Sequence, residues 1–190
     1  MYKVYPKIIL ACLLLVMTGT VYSQRVTQTI NDGWKFSLFE GDASTADFDI
    51  SGWTDVSIPH TWNAKDADDE IPGYFRGKGW YRKVVAVEEL IPEQRVYLSF
   101  EGANQETNVF VNGTFVGNHK GGYSAFTFDV TDYVHAGRNL IAVSVDNSHN
   151  PDIAPLSADF TFFGGIYRDV YLVYTSPCLL YTSDAADDKA

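Results

Sequence analysis

Apolar and polar residues alternate with a period of two along most of the chain, and no stretch carries an apolar stripe at helical spacing. Val96-Tyr97-Leu98-Ser99-Phe100 puts Val96, Leu98 and Phe100 on one face, the expected core side of a strand. Val109 to Val116 sets Asn112-Gly113 between two apolar runs. That pair predicts a hairpin, because both central residues of a type I′ turn need positive φ. Asn112-Gly113-Thr114 is formally a glycosylation sequon, but the turn accounts for these residues. Further strands are expected at Trp34 to Leu38, Trp80 to Val87, Ala125 to Asp129, Leu140 to Asp146 and Asp169 to Tyr174. Thr131-Asp132-Tyr133-Val134 reads as one helical turn capped by Thr131. Short strands separated by Gly, Asn, Asp and Pro predict an all-β fold, a β-sandwich or jelly roll. Trp62 to Gly79 and Asn147 to Gly165 lack strand character, and loops of that length are usually functional or disordered.

The ends of the chain break the pattern. Lys3 and Lys7 flank a short region, Ile8 to Met17 is almost unbroken apolar sequence, and Thr18-Gly19-Thr20 leads to Val21-Tyr22-Ser23. Residues 1–23 therefore read as a secretory signal cleaved after Ser23, with a periplasmic or extracellular destination. The run is shorter than the ~20 apolar residues of a membrane span, so none is expected. Cys12 after Ile9-Leu10-Ala11 resembles a lipoprotein site, but too little hydrophobic sequence precedes it. From Ser176 onward the residues continue neither a strand nor a linker. Residues 176–190 are expected to be foreign, resembling translated sequencing-adaptor sequence, which leaves 24–175 as one domain.

Composition narrows the chemistry. The chain has 190 residues, 46% of them hydrophobic, 15% aromatic and 20% charged, an ordinary globular profile. Lys and Arg number 14 against 24 Asp and Glu, and the net charge of -10 argues against nucleic acid as a partner. The excess of acid survives removal of the leader and the tail. A (β/α)₈ barrel needs roughly 200 residues or more, so no such catalytic domain fits. Residues 24–176 hold no cysteine, which removes a disulfide framework, a thiol nucleophile and a cysteine metal site.

No P-loop, dinucleotide fingerprint, His-Glu-x-x-His or Gly-x-Ser-x-Gly element is present. His60, His119, His135 and His149 are scattered singly. Asp66, Asp68, Asp69 and Glu70 offer hard oxygen ligands of the calcium kind, but without the glycine spacing of an EF-hand they read as solvated loop charge. Glu88-Glu89, and Glu101 with Glu106, sit in expected turns and are not read as a catalytic carboxylate pair. Aromatics are more informative. Trp62, Tyr74, Phe75, Trp80, Tyr123, Phe160, Phe162 and Phe163 lie in or beside the long loops. Their faces suit the C–H faces of sugars, although most are expected to close the ends of the sandwich, with Trp80 in the core.

Six segments in order resemble the N-terminal sugar-binding domain of glycoside hydrolase family 2, the family of β-galactosidases, β-glucuronidases and β-mannosidases. They are Asn31-Asp32-Gly33-Trp34-Lys35-Phe36, Ile58-Pro59-His60-Thr61-Trp62-Asn63, Gly77-Lys78-Gly79-Trp80-Tyr81-Arg82-Lys83, Phe110-Val111-Asn112-Gly113, Gly121-Gly122-Tyr123-Ser124-Ala125-Phe126, and Asp159 through Val170. The resemblance runs from about Val26 to Tyr174 and implies a jelly-roll β-sandwich of the galactose-binding-domain-like kind. Gly164-Gly165 is expected where only glycine tolerates positive φ or close backbone packing. Arg168 is expected to bury its stem and pair with a carboxylate.

In β-galactosidases of the family, the resemblance implies, an aspartate matching Asp159 holds the galactose and a nearby sodium ion. Loop bracing by Asp159 is the alternative, and both stand. The family's nucleophile and acid/base are glutamates on a barrel that follows an immunoglobulin-like domain, and neither domain is in this sequence. The resemblance thus implies the first domain of an exported, retaining β-galactosidase-type hydrolase, inactive alone, with the immunoglobulin-like and barrel domains and a carbohydrate substrate as partners. No cofactor is expected within this chain; sodium or magnesium belongs to the full-length enzyme. A free carbohydrate-binding module and a ligand-free structural sandwich are the competing readings.

Overall fold

A computed structural model describes residues 25–64, 66, 74–154 and 162–176. The strands are β1 (Arg25–Thr29), β2 (Trp34–Leu38), β3 (Thr54–Val56), β4 (Lys78–Val87), β5 (Arg95–Phe100), β6 (Glu106–Val111), β7 (Thr114–Lys120), β8 (Phe126–Asp129), β9 (Gly137–Asp146) and β10 (Val170–Thr175). They build two antiparallel sheets in the orders β1-β10-β5-β8 and β3-β2-β4-β9-β6-β7. The fold is the expected all-β jelly-roll sandwich. The leader at 1–23 and residues 177–190 of the tail lie outside the described residues.

Alternation makes the core. Val96, Leu98 and Phe100 of β5 are fully buried, as are Leu172 of β10, Val109 and Val111 of β6, and Val143 and Val145 of β9. Burying each such side chain favours folding by about 1.5–3 kcal/mol, which is why the inward register is fixed. β4 and β9 are buried on both faces. Tyr81 and Val85 look into the sandwich, while Trp80 and Ala142 form a second cluster with Ala43, against which Phe48 and Trp53 pack. The cover is the β2–β3 connection: Trp80 Nε1 donates to Gly41 O at 3.0 Å and Arg82 Nη1 to Ala43 O at 3.0 Å. Trp80 is core, as expected, but on the outer side of its sheet.

The hairpin forms as expected, with φ of 52° at Asn112 and 81° at Gly113. The Asn112 side chain accepts from Leu140 N at 2.9 Å and donates to Tyr133 O and Asn139 Oδ1, each at 2.9 Å. The helical turn is a 3₁₀ turn, Thr131–Tyr133, and Thr131 does not cap it. Thr131 Oγ1 instead accepts from Val96 N at 2.9 Å, and Asp129 takes the Thr131 amide at 3.0 Å. The hydroxyl stitches the turn to β5 rather than closing its own first turn. Two strands lie beyond those expected: β1, exposed at all five positions, and the three-residue β3. Neither offers a buried alternation to read.

Candidate functional site at one pole of the sandwich

Register brings four connections to the same pole. Lys78 at the start of β4 faces Asp146 at the end of β9, and Asp146 also faces Glu106 at the start of β6. Glu106 pairs with Lys120 at the end of β7, while Phe100 at the end of β5 pairs with Phe126 and Val170. The loops β3–β4, β5–β6, β7–β8 and β9–β10 therefore meet there.

Three asparagines from three of these loops hold the segment Phe162–Gly165. Asn63 and Asn147 are each 1% exposed and Asn104 is 3% exposed. Asn63 Oδ1 accepts from Gly164 N at 2.8 Å and from Thr61 Oγ1 at 2.7 Å, and its amide donates to Phe162 O at 3.1 Å. Asn147 accepts from Gly77 N at 2.8 Å and donates to Phe75 O at 3.2 Å and Phe162 O at 3.4 Å. Asn104 Nδ2 donates to Phe163 O at 2.7 Å, and its backbone exchanges bonds with Gly165 at 3.0 and 3.2 Å. Backbone outside a sheet must find partners when buried, and these amides supply them.

Both glycines behave as their sequence context requires. Gly165 has φ of 117°, and a Cβ there would lie 2.7 Å from His60 O. A Cβ on Gly164 would collide with the Trp62 ring and Asn147 Nδ2. Trp62 stacks on Phe36 at 5.9 Å and closes the end of the sandwich, its Nε1 buried with no partner among the described residues. His60 Nδ1 and Tyr81 Oη share a hydrogen bond at 2.8 Å. Burial pushes the imidazole pKa down and the phenol pKa up, so both stay neutral near pH 7.

Beyond the clamp the pole is aromatic and open. Phe75, Tyr123 and Phe163 are 48%, 49% and 46% exposed. Arg76 lies over the Tyr74 ring at 4.8 Å and the Phe162 ring at 5.5 Å, and donates to the Tyr74 hydroxyl. Tyr123 is within electrostatic reach of Tyr74 and Tyr167, and mainly burial raises its pKa. A cleft of about 160 Å³ beside the clamp is lined by Gln105, Glu106, Asp146 and His149 among others. A larger cavity, about 400 Å³, lies at the opposite pole, lined in part by Val26, Glu88, Leu90 and Tyr174. It is remote from the converging loops.

The expected site residues divide. Asp159 and Phe160 lie outside the described residues, as do Asp68, Asp69 and Glu70. Asp66 accepts from Phe75 N at 2.6 Å, a structural use of one member of the acidic cluster. Among the described residues no group of three or more His, Cys, Asp or Glu is arranged to hold a metal. Glu106 is bound to Lys120 at 3.7 Å, and Glu101 accepts from Tyr171 Oη at 3.3 Å. Arg168 departs from expectation: it is exposed and lies over the Tyr167 ring at 5.6 Å, without an ion pair among the described residues. Tyr167 is fixed by its bond to Gly122 O, and its ring face takes the Arg168 guanidinium. The asparagine clamp has no signal in the residue pattern, since Asn63 and Gly164 meet across 101 positions.

Comparison with known proteins gives a consistent result. Residues 27–177 match the family described as glycosyl hydrolases family 2, sugar binding domain. A β-glucuronidase of Bacteroides fragilis is 37% identical over 91% of this chain and 24% of its own length. A β-galactosidase of Thermoanaerobacter pseudethanolicus is 40% identical over 77% of this chain and 19% of its own length. The structure of Bacteroides uniformis β-glucuronidase 2 covalently bound to cyclophellitol-6-carboxylate aziridine superposes with a TM-score of 0.74 at 46% identity, over 81% of this chain and 18% of that one. The chain thus spans about a fifth of the length of the curated relatives it matches.

Proposed function

Since this chain belongs to the sugar-binding domain family of glycosyl hydrolases family 2, we propose that it is the first domain of a longer glycoside hydrolase and presents its aromatic pole to the saccharide. The observation that carries this reading is the convergence there of four loops, fixed by three buried asparagines and fringed by exposed rings. Ring faces such as Phe75, Tyr123 and Phe163 suit the C–H faces of a sugar. Asp159, three residues before Phe162 in sequence, is the proposed hydroxyl-binding group. The reaction of the whole enzyme is hydrolysis of an O-glycosyl bond, retaining in outcome, with both glutamates on a barrel domain. Sodium or magnesium is left to that full-length enzyme. Residues 1–23 direct export to the periplasm or beyond, and 176–190 are foreign to the domain.

Relatives named for β-glucuronides and for β-galactosides stand side by side, so the test uses both. The full-length enzyme is expected to hydrolyse 4-nitrophenyl β-galactoside or β-glucuronide, and the 190-residue chain neither. Turnover by the chain alone would overturn the division of labour. In the full-length enzyme Asp159→Ala is expected to raise KM or lower kcat; unchanged kinetics would remove the assignment. The exposed rings also suit a free carbohydrate-binding module, which sugar binding by the chain together with a native stop after it would favour.

A further inference from the structure

We propose that Arg76 forms an anion subsite at the aromatic pole, taking a carboxylate or sulfate group carried by a saccharide. The inference rests on the saccharide reading of this pole and adds the charge of its ligand. Arg76 is exposed yet held in place, its guanidinium over the Tyr74 and Phe162 rings at 4.8 and 5.5 Å and bonded to the Tyr74 hydroxyl. Stacking leaves the edge of a guanidinium free to make two parallel hydrogen bonds, the geometry that matches carboxylate and sulfate oxygens.

Three of the other described cations are neutralised by carboxylates. Lys35, Arg95 and Lys120 pair with Asp55, Asp129 and Glu106 at 2.8, 2.7 and 3.7 Å. In a chain of net charge -10, carboxylates are plentiful, yet Arg76 enters no ion pair among the described residues. Asp66, the described carboxylate of the same loop, is committed to Phe75 N at 2.6 Å. Arg168, over Tyr167, repeats the arrangement, and Tyr123 lies in electrostatic reach of both Tyr74 and Tyr167. An oriented positive charge with no ion pair among the described residues, beside exposed ring faces, is the combination that binds a sugar bearing an anion, with the ring taken by stacking and the anion by the guanidinium.

The test titrates the 190-residue chain with glucose, glucuronate and galactose 6-sulfate, following amide and Arg76 Nε–H shifts by NMR. Glucuronate or galactose 6-sulfate is expected to bind about tenfold more tightly than glucose, with an advantage that shrinks in high salt. Which of the two binds better separates a carboxylate ligand from a sulfated one. Arg76→Gln should abolish that advantage, whereas Arg138→Gln, an equal loss of charge on β9 at the opposite pole, should keep it. Equal binding of charged and neutral sugars, or an advantage that survives Arg76→Gln, would overturn the subsite while leaving the saccharide reading intact. Absence of binding by all three sugars would overturn the subsite and count against saccharide binding by this domain as well.

Discussion

Asn63 shows at the residue scale why an amide is needed where an apolar side chain would fill the same space. Its oxygen serves Gly164 N and Thr61 Oγ1 while its nitrogen serves Phe162 O, so one buried group satisfies three partners. Asn63→Ala strands the Gly164 amide and is expected to cost about 2–3 kcal/mol, read as a lower urea midpoint at unchanged m. The glycines separate two kinds of cost. Gly137→Ala meets a positive φ of 93° in open space, and a loss of about 1–2 kcal/mol is expected. Gly165→Ala meets a φ of 117° and His60 O at 2.7 Å, so its loss should be clearly larger. Equal losses, by urea denaturation of both, would mean that the close approach at Gly165 relaxes without cost.

Elements were legible to the extent that burial alternates along them. β5 shows three inward apolar residues and three outward ones, and β2 was bounded correctly as Trp34–Leu38. β1 is exposed throughout and β3 has three residues, so neither carries the period that marks a half-buried strand. The site was legible in part: the aromatic loops and Gly164-Gly165 are visible in the residues, whereas the asparagine clamp depends on contacts between distant loops. The Asn112-Gly113 turn was read from backbone demands alone, but Asn112 also ties the hairpin to Tyr133, Asn139 and Leu140. Asn112→Gly keeps the positive φ and removes those bonds. It is expected to lower stability by about 1–3 kcal/mol, where a pure turn role would leave the thermal midpoint unchanged.

For the whole molecule, charge and burial combine into a pH dependence. His60 and His119 have pKa values lowered, mainly by burial, from an ordinary 6.5. The unfolded chain therefore binds more protons than the folded one as pH falls through 6.5, and stability drops over that window. Asp129 is held below its ordinary 3.8 by Thr131 and Arg95, against the opposing effect of burial; its loss begins only as pH nears that value. Urea midpoints from pH 8 to 5 should fall, and His60→Gln should flatten part of the decline; a flat profile would contradict the burial argument. The two poles of the sandwich also have different characters, with buried amides and open rings at one and a 400 Å³ cavity at the other. The first gathers the loops that the proposed function assigns to a saccharide and a catalytic domain. Long-read sequencing of the source DNA through the codon for Thr175 tests this account most directly. It predicts an open frame continuing into an immunoglobulin-like domain and a barrel with two catalytic glutamates. A native stop codon soon after Thr175 would contradict it and leave a binding module.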